Sequence, residues 1–303
     1  MKKIWLGILL GMYALTAKAQ PITVAASFSI LADITRQIGQ DRVKVIEIVG
    51  AEKDVHAFQP SPADVKKIAE AKLVLINGLG LEGWITRMVN ASGHKDKVVR
   101  VAEQLPSLLK VEEQGHHHHH HGHDHGHDHY DPHVWQDPVL MKEYVHHIAQ
   151  ALIAVDPNSK AYYEANAKAY HLQLDALNSW VEQSLATIPV AKRRVITSHD
   201  AFAYLGHRYK IQFMSPQGSS TESEASAKEV ATLVQHIRKT GVRALFIENI
   251  SSPRLMETLA KEANVKVGGK LYSDALAKTA PANTYLGMYR YNIETLLAGL
   301  RQN

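Results

Sequence analysis

The sequence contains no cysteine, which excludes disulfides, a thiolate zinc site and a lipid attached through an N-terminal cysteine. At 303 residues the chain is long enough to bury a core without such staples. Aromatic residues make up only 7% and are not interleaved with the scattered Lys and Arg, so the footprint of a nucleic-acid binder is missing. The whole-chain net charge of +4 includes Lys2, Lys3 and Lys18, and taking these three from residues 1–19, which hold no acid, leaves +1. No apolar run reaches the ~20 residues of a membrane-spanning helix. The longest, residues 4–15, follows Lys2 and Lys3 and precedes Ala17-Lys18-Ala19, the pattern of a secretory signal peptide cleaved after Ala19. The expectation is an exported, soluble, periplasmic protein that begins at Gln20 and carries no lipid anchor. An ATP-binding motif is absent as well.

Histidine, in contrast, is abundant, at 19 residues. Short β-branched runs at 22–26, 43–49, 73–77 and 98–101 alternate with helical patterns, which implies a parallel sheet covered by helices. Ser61-Pro62 with Asp64 predicts a helix entry, and a helix from Pro62 to about Ala71. From 157 to 187 the pattern is helical without interruption, with Tyr163, Ala167, Tyr170, Leu174, Leu177 and Trp180 on one face. Such a helix runs about 45 Å, enough to tie two lobes together. Strands follow at 194–198, 211–214, 245–248 and 265–267, with helices near 225–240, 253–263 and 284–301. The predicted fold class is α/β: two (βα)-type lobes with parallel sheets, joined by one long backbone helix. The domain division is a signal peptide at 1–19, an N-terminal lobe at 20–156, a linking helix at 157–187 and a C-terminal lobe at 188–303.

Residues 115–130 read GHHHHHHGHDHGHDHY, with no apolar periodicity and nothing to place in a core. Outside that segment, His56, His133 and His199 stand in segments that read as loops beside strands or helix entries, and Asp274 follows a strand-like run. Imidazole nitrogen suits Zn²⁺, and three nitrogens with one carboxylate oxygen close a tetrahedron.

At this point the chain resembles the cluster A-I substrate-binding proteins of zinc and manganese ABC importers. The resemblance covers essentially the whole chain after residue 19. It rests on Val55-His56-Ala57-Phe58-Gln59-Pro60-Ser61-Pro62, Asn77-Gly78-Leu79-Gly80-Leu81-Glu82 and Asp131-Pro132-His133-Val134-Trp135. It continues in Thr197-Ser198-His199-Asp200-Ala201-Phe202, Ser220-Thr221-Glu222-Ser223-Glu224, Ile247-Glu248-Asn249 and Leu271-Tyr272-Ser273-Asp274. The resemblance implies a metal held in a cleft between two lobes, with ligand positions at His56, His133, His199 and Asp274, and no catalysis. It also implies partners: a permease, its ATPase subunit and a periplasmic metallochaperone, with the protein itself a monomer.

At the third ligand position, relatives associated with manganese carry glutamate, so His199 points to zinc, while Asp274 suits both metals and the ligand set also admits Mn²⁺ or Fe²⁺. Zinc-type relatives also carry a His-rich loop. Here His116, His117, His118, His119, His120, His121, His123, His125, His127 and His129 are the candidates for weak auxiliary binding, neutral and available above about pH 6.5. Binding in the cleft requires neutral imidazoles, so affinity is expected to fall below about pH 6.

Other motifs carry less. Gly78-Leu79-Gly80-Leu81-Glu82-Gly83 matches G-x-G-x-x-G, but it follows two earlier strands, where a dinucleotide fingerprint belongs to the first unit. Ser198-His199-Asp200 are consecutive and cannot converge as a triad, and G-x-S-x-G is absent. A metallohydrolase would need an open metal position, which Asp274 fills, and H-E-x-x-H is missing. Glu222, Glu224 and Glu248 read as capping, surface or supporting carboxylates. A metal-independent adhesin is the rival from a different class.

Overall fold

The computed structural model describes residues 20–93, 95–111 and 129–303. The expected signal peptide and the histidines from His116 to His127 lie outside the described residues. The chain opens with β1 (Ile22–Phe28), α1 (Ser29–Gly39), β2 (Val43–Val49), α2 (Pro62–Glu70), β3 (Leu73–Ile76), α3 (Ile85–Ser92) and β4 (Val98–Arg100). Then come α4 (Leu140–Val155) and the long α5 (Lys160–Leu185). The second half runs β5 (Arg194–Ile196), α6 (Ala203–Tyr209), β6 (Gln212–Met214), α7 (Ala227–Thr240), β7 (Leu245–Glu248), α8 (Arg254–Ala263), β8 (Val267–Leu271) and α9 (Tyr285–Leu300).

The strands form two four-stranded sheets, ordered β2-β1-β3-β4 and β6-β5-β7-β8, and every pairing is parallel. The two lobes therefore repeat one topology. Parallel strands need helical crossovers that cover the sheet faces, which is why β1 and β3 are apolar on both faces and buried nearly throughout.

Local chemistry sets the helix ends. Ser61 accepts from Asp64 N while Ser61 N donates to the Asp64 carboxylate, a reciprocal box with Pro62 at the first position. Ser226 and Glu229 repeat the box at α7. α5 buries Tyr163, Ala167, Tyr170, Leu174, Leu177, Val181 and Leu185. Trp180, expected on that stripe, is displaced by Val181 and packs half-buried under Arg290, whose guanidinium sits 4.8 Å from the ring centre. The helix is shorter than the 157–187 reading because Pro157–Ser159 forms a separate 3₁₀ turn.

α5 packs against α1 and α4 of the first lobe and α9 of the second. One apolar cluster continues from Val24 and Leu31 through Leu174 to Phe246 and Leu296, so the lobes share a core. β8 lies at Val267–Leu271, displaced from the expected 265–267. Its Gly268 and Gly269 break the β-branched pattern, yet a side chain at Gly268 would meet the Phe246 ring at 3.0 Å, and the ladder to β7 shifts register there.

Candidate metal centre

Loops leaving the carboxyl ends of parallel strands meet between the lobes, the general place for sites in α/β sheets. His56 lies beyond β2, His133 beyond β4, His199 beyond β5 and Asp274 beyond β8. One ligand-grade atom from each of these four residues lies within 4.8 Å of all the others. His133, His199 and Asp274 are fully buried and His56 is 5% exposed. Asp274 Oδ2 lies 3.2 Å from His56 Nε2 and 3.1 Å from His199 Nε2, and Oδ1 lies 3.6 Å from His133 Nε2.

All three Nε2 atoms and both Asp274 oxygens are buried, and apart from facing one another they have no partner. Such a set is costly unless something fills it. A tetrahedron with arms of about 2.0–2.1 Å has edges of about 3.3 Å, close to the three nitrogen–oxygen separations of 3.1–3.6 Å, and this donor set suits one small divalent cation.

Each ligand is held from behind. Asp54 Oδ1 accepts from the His56 and Ala57 amides at 2.8 and 3.4 Å, and Trp84 Nε1 donates to Val55 O at 2.8 Å. Asp131 Oδ1 accepts from the His133 amide at 2.9 Å and lies 2.7 Å from His133 Nδ1. That contact turns the Nε2 lone pair toward the cluster. Glu248 stands behind His199: Oε2 forms an ion pair with Nδ1 at 2.6 Å, while Oε1 accepts from the Ser198 and His199 amides at 2.7 and 3.0 Å. The Asp274 loop is fixed across the cleft, where Trp135 Nε1 and Gln136 Nε2 both donate to Ser273 O, at 2.7 and 3.0 Å.

Burial opposes charge on His133, but the Asp274 and Asp131 carboxylates overcome it and hold the imidazole above its usual 6.5. His199 stands well above that value, because Glu248 and Asp274 outweigh burial. Burial likewise opposes the Asp274 carboxylate, and His199 with His133 drives it well below its usual 3.8.

The structure thus brings together the four residues singled out in the sequence and no other such group among the described residues. His129 is exposed at the surface, its carbonyl accepting from Val111 N. Glu222 and Glu224 are exposed. Glu248 is no surface acid but the support of His199. The Asp-x-His repeated in Asp54-Val55-His56 and Asp131-Pro132-His133 is a signal the sequence offers for these supports: both aspartates accept from the histidine amide, and Asp131 also backs the His133 imidazole. In the glycine-rich turn after β3, Glu82 is buried and accepts from Asn77 N, Gly78 N and Ser27 Oγ, which gives the turn a structural purpose.

The model of the family described as zinc-uptake complex component A, periplasmic, matches residues 24–299. The metal ABC transporter substrate-binding lipoprotein SloC of Streptococcus mutans is 32% identical over 97% of this chain and 96% of the relative. The manganese ABC transporter substrate-binding lipoprotein PsaA of Streptococcus pneumoniae is 31% identical over 94% of this chain and 91% of the relative. Among solved structures, the periplasmic zinc binding protein TroA from Treponema pallidum aligns with a TM-score of 0.84 at 30% identity, covering 92% of this chain and 99% of that one. The Mn-bound periplasmic metal binding protein from Candidatus Liberibacter asiaticus aligns with a TM-score of 0.78 at 27% identity, covering 92% of this chain and 99% of that one.

The names of the curated relatives correct one expectation. They are lipoproteins, so the reading of an unanchored periplasmic protein does not stand; a lack of cysteine speaks to one attachment chemistry and not to where a family works. With a family match across nearly the whole chain, relatives above 30% identity and the same two-lobed fold, this chain belongs to the zinc-uptake complex component A family of solute-binding proteins.

Proposed function

We propose that this protein captures Zn²⁺ on His56, His133, His199 and Asp274 and delivers it to the permease and ATPase subunits of an ABC importer. At the coarser level, it is a metal-binding substrate-binding protein of an ABC transporter and not an enzyme, as its family is. The reading is carried by three buried Nε2 atoms that face one buried carboxylate at 3.1–3.6 Å and have no other partner. A donor set of three borderline nitrogens and one carboxylate favours zinc over harder cations that seek six or more oxygens. The assignment of 20–156 and 188–303 as the lobes and 157–187 as their link belongs to this reading, as does a role for the 115–130 histidines in raising local metal concentration.

Manganese is the second reading, favoured by relatives named for that metal and by the hard oxygen of Asp274. Native mass spectrometry of the protein recovered from its own compartment separates the two. Zinc as the bound ion supports the proposal, and manganese or iron in its place refutes it.

A further inference from the structure

The segment 215–226, between β6 and α7, has no regular structure, yet it is tied to ligand loops of both lobes. At one foot, Asp200 N donates to Gly218 O at 3.1 Å, next to His199. At the other, Thr221 Oγ1 donates to Asp54 Oδ2 at 2.6 Å, reaching from the second lobe to the first. Between the feet the segment braces itself: Ser215 Oγ donates to Gln217 O at 2.8 Å, Gln217 Nε2 to Ser223 O at 3.0 Å, and Glu222 N to Ser220 Oγ at 3.2 Å. It is a strap laid from the His199 loop to the His56 loop.

Asp54 makes the strap matter to the site. One carboxylate oxygen holds the His56 and Ala57 amides and the other holds Thr221, so a single side chain joins the strap to a ligand. His56 is also the only one of the four ligand candidates with measurable exposure, at 5%. Moving the His56 backbone away from a bound ion breaks its amide bond to Asp54, and Asp54 is itself clasped by a short, charge-assisted bond from Thr221.

We infer that Thr221 is a positioning residue of the metal site: through Asp54 it holds His56 in place, and the clasp between them limits how fast the ion leaves. This rests on His56 being a metal ligand. Removing the hydroxyl leaves all four donor side chains intact, so the effect falls on release more than on capture, as with most perturbations of a preformed site.

The test uses the full chain loaded with zinc alone and mixed rapidly with excess chelator, reading the slow phase of zinc transfer. Thr221→Val keeps the shape and removes the donor, Thr221→Ala removes both, and Thr221→Ser restores the hydroxyl. Loss of a charge-assisted hydrogen bond corresponds to release about tenfold faster, expected for Thr221→Val and Thr221→Ala, with Thr221→Ser close to the parent rate. Parent-like release in Thr221→Val and Thr221→Ala overturns the inference, and so does release from Thr221→Ser as fast as from Thr221→Val. His56→Ala is measured alongside by equilibrium titration. Unchanged zinc affinity in that variant refutes the ligand assignment itself, whereas lost affinity combined with unchanged release from the Thr221 variants refutes the clasp alone.

Discussion

Around the metal cluster each substitution acts through a named atom. Tight zinc sites bind with about 10–16 kcal/mol shared over four ligands, so His56→Ala, His133→Ala or His199→Ala should weaken zinc on the order of a hundredfold or more, measured by competition with a chelator. Asp131→Asn and Glu248→Gln keep the ligands but remove the carboxylates behind His133 and His199, and should cost about 10- to 100-fold. Parent-like affinity in both would show that these carboxylates do not tune the imidazoles.

The pH dependence follows from the same contacts. His133 and His199 hold their protons above 6.5 in the metal-free protein, and zinc must displace them. Zinc affinity should therefore start to fall above pH 6.5 as pH is lowered, not only below about 6 as free imidazole suggests. In the metal-free protein the raised imidazoles contribute stability below pH 6.5 that is lost as pH rises through their folded values. The lowered Asp274 contributes above 3.8, and that part is lost as pH falls through its folded value. Urea unfolding of metal-free protein across this range checks the sign. The histidines were legible in the sequence because each stands in a loop flanked by proline, glycine or a helix start. The clasp of Thr221 on Asp54 was not, because a bond between residues 167 positions apart leaves no local trace.

α5 shows what periodicity reveals and what it misses. Its buried stripe, from Tyr163 to Leu177, was visible as three- and four-residue steps, since one face must meet α1, α4 and α9. The choice between neighbouring Trp180 and Val181 was not, because it depends on Arg290 of a distant helix offering a cation to the indole. β8 departs from the expected range for a related reason: Gly268 lies against Phe246 of the adjacent strand and Gly269, at positive φ, against Thr295 of α9, contacts that intrinsic strand preference does not register. Leu174 is wholly buried in α5, and Leu174→Ala should lower stability by about 2–5 kcal/mol, read from the urea midpoint. A shift within error would mean that α5 does not anchor the shared core.

Across the whole molecule, the shared core and the crossing bonds restrict hinge motion. Arg208 pairs with the buried Asp137 through contacts of 2.6–3.0 Å. Tyr285 and Tyr289 of α9 donate to Trp135 O and Gln136 O at 2.8 Å each, immediately beyond His133. Metal entry and exit are therefore expected to use loop motion, and small-angle scattering should give nearly equal radii of gyration for metal-free and zinc-loaded forms; a large contraction on loading would contradict this. Deleting 115–129 should leave one tight zinc site by calorimetry, and its loss would refute the division between cleft and histidine segment.

The most direct measurement is anomalous diffraction at the zinc edge from crystals of the zinc-loaded protein. Expected is one strong peak between the lobes, about 2.0–2.2 Å from the Nε2 atoms of His56, His133 and His199 and from an Asp274 oxygen. A map with no peak among those four side chains would contradict the assignment.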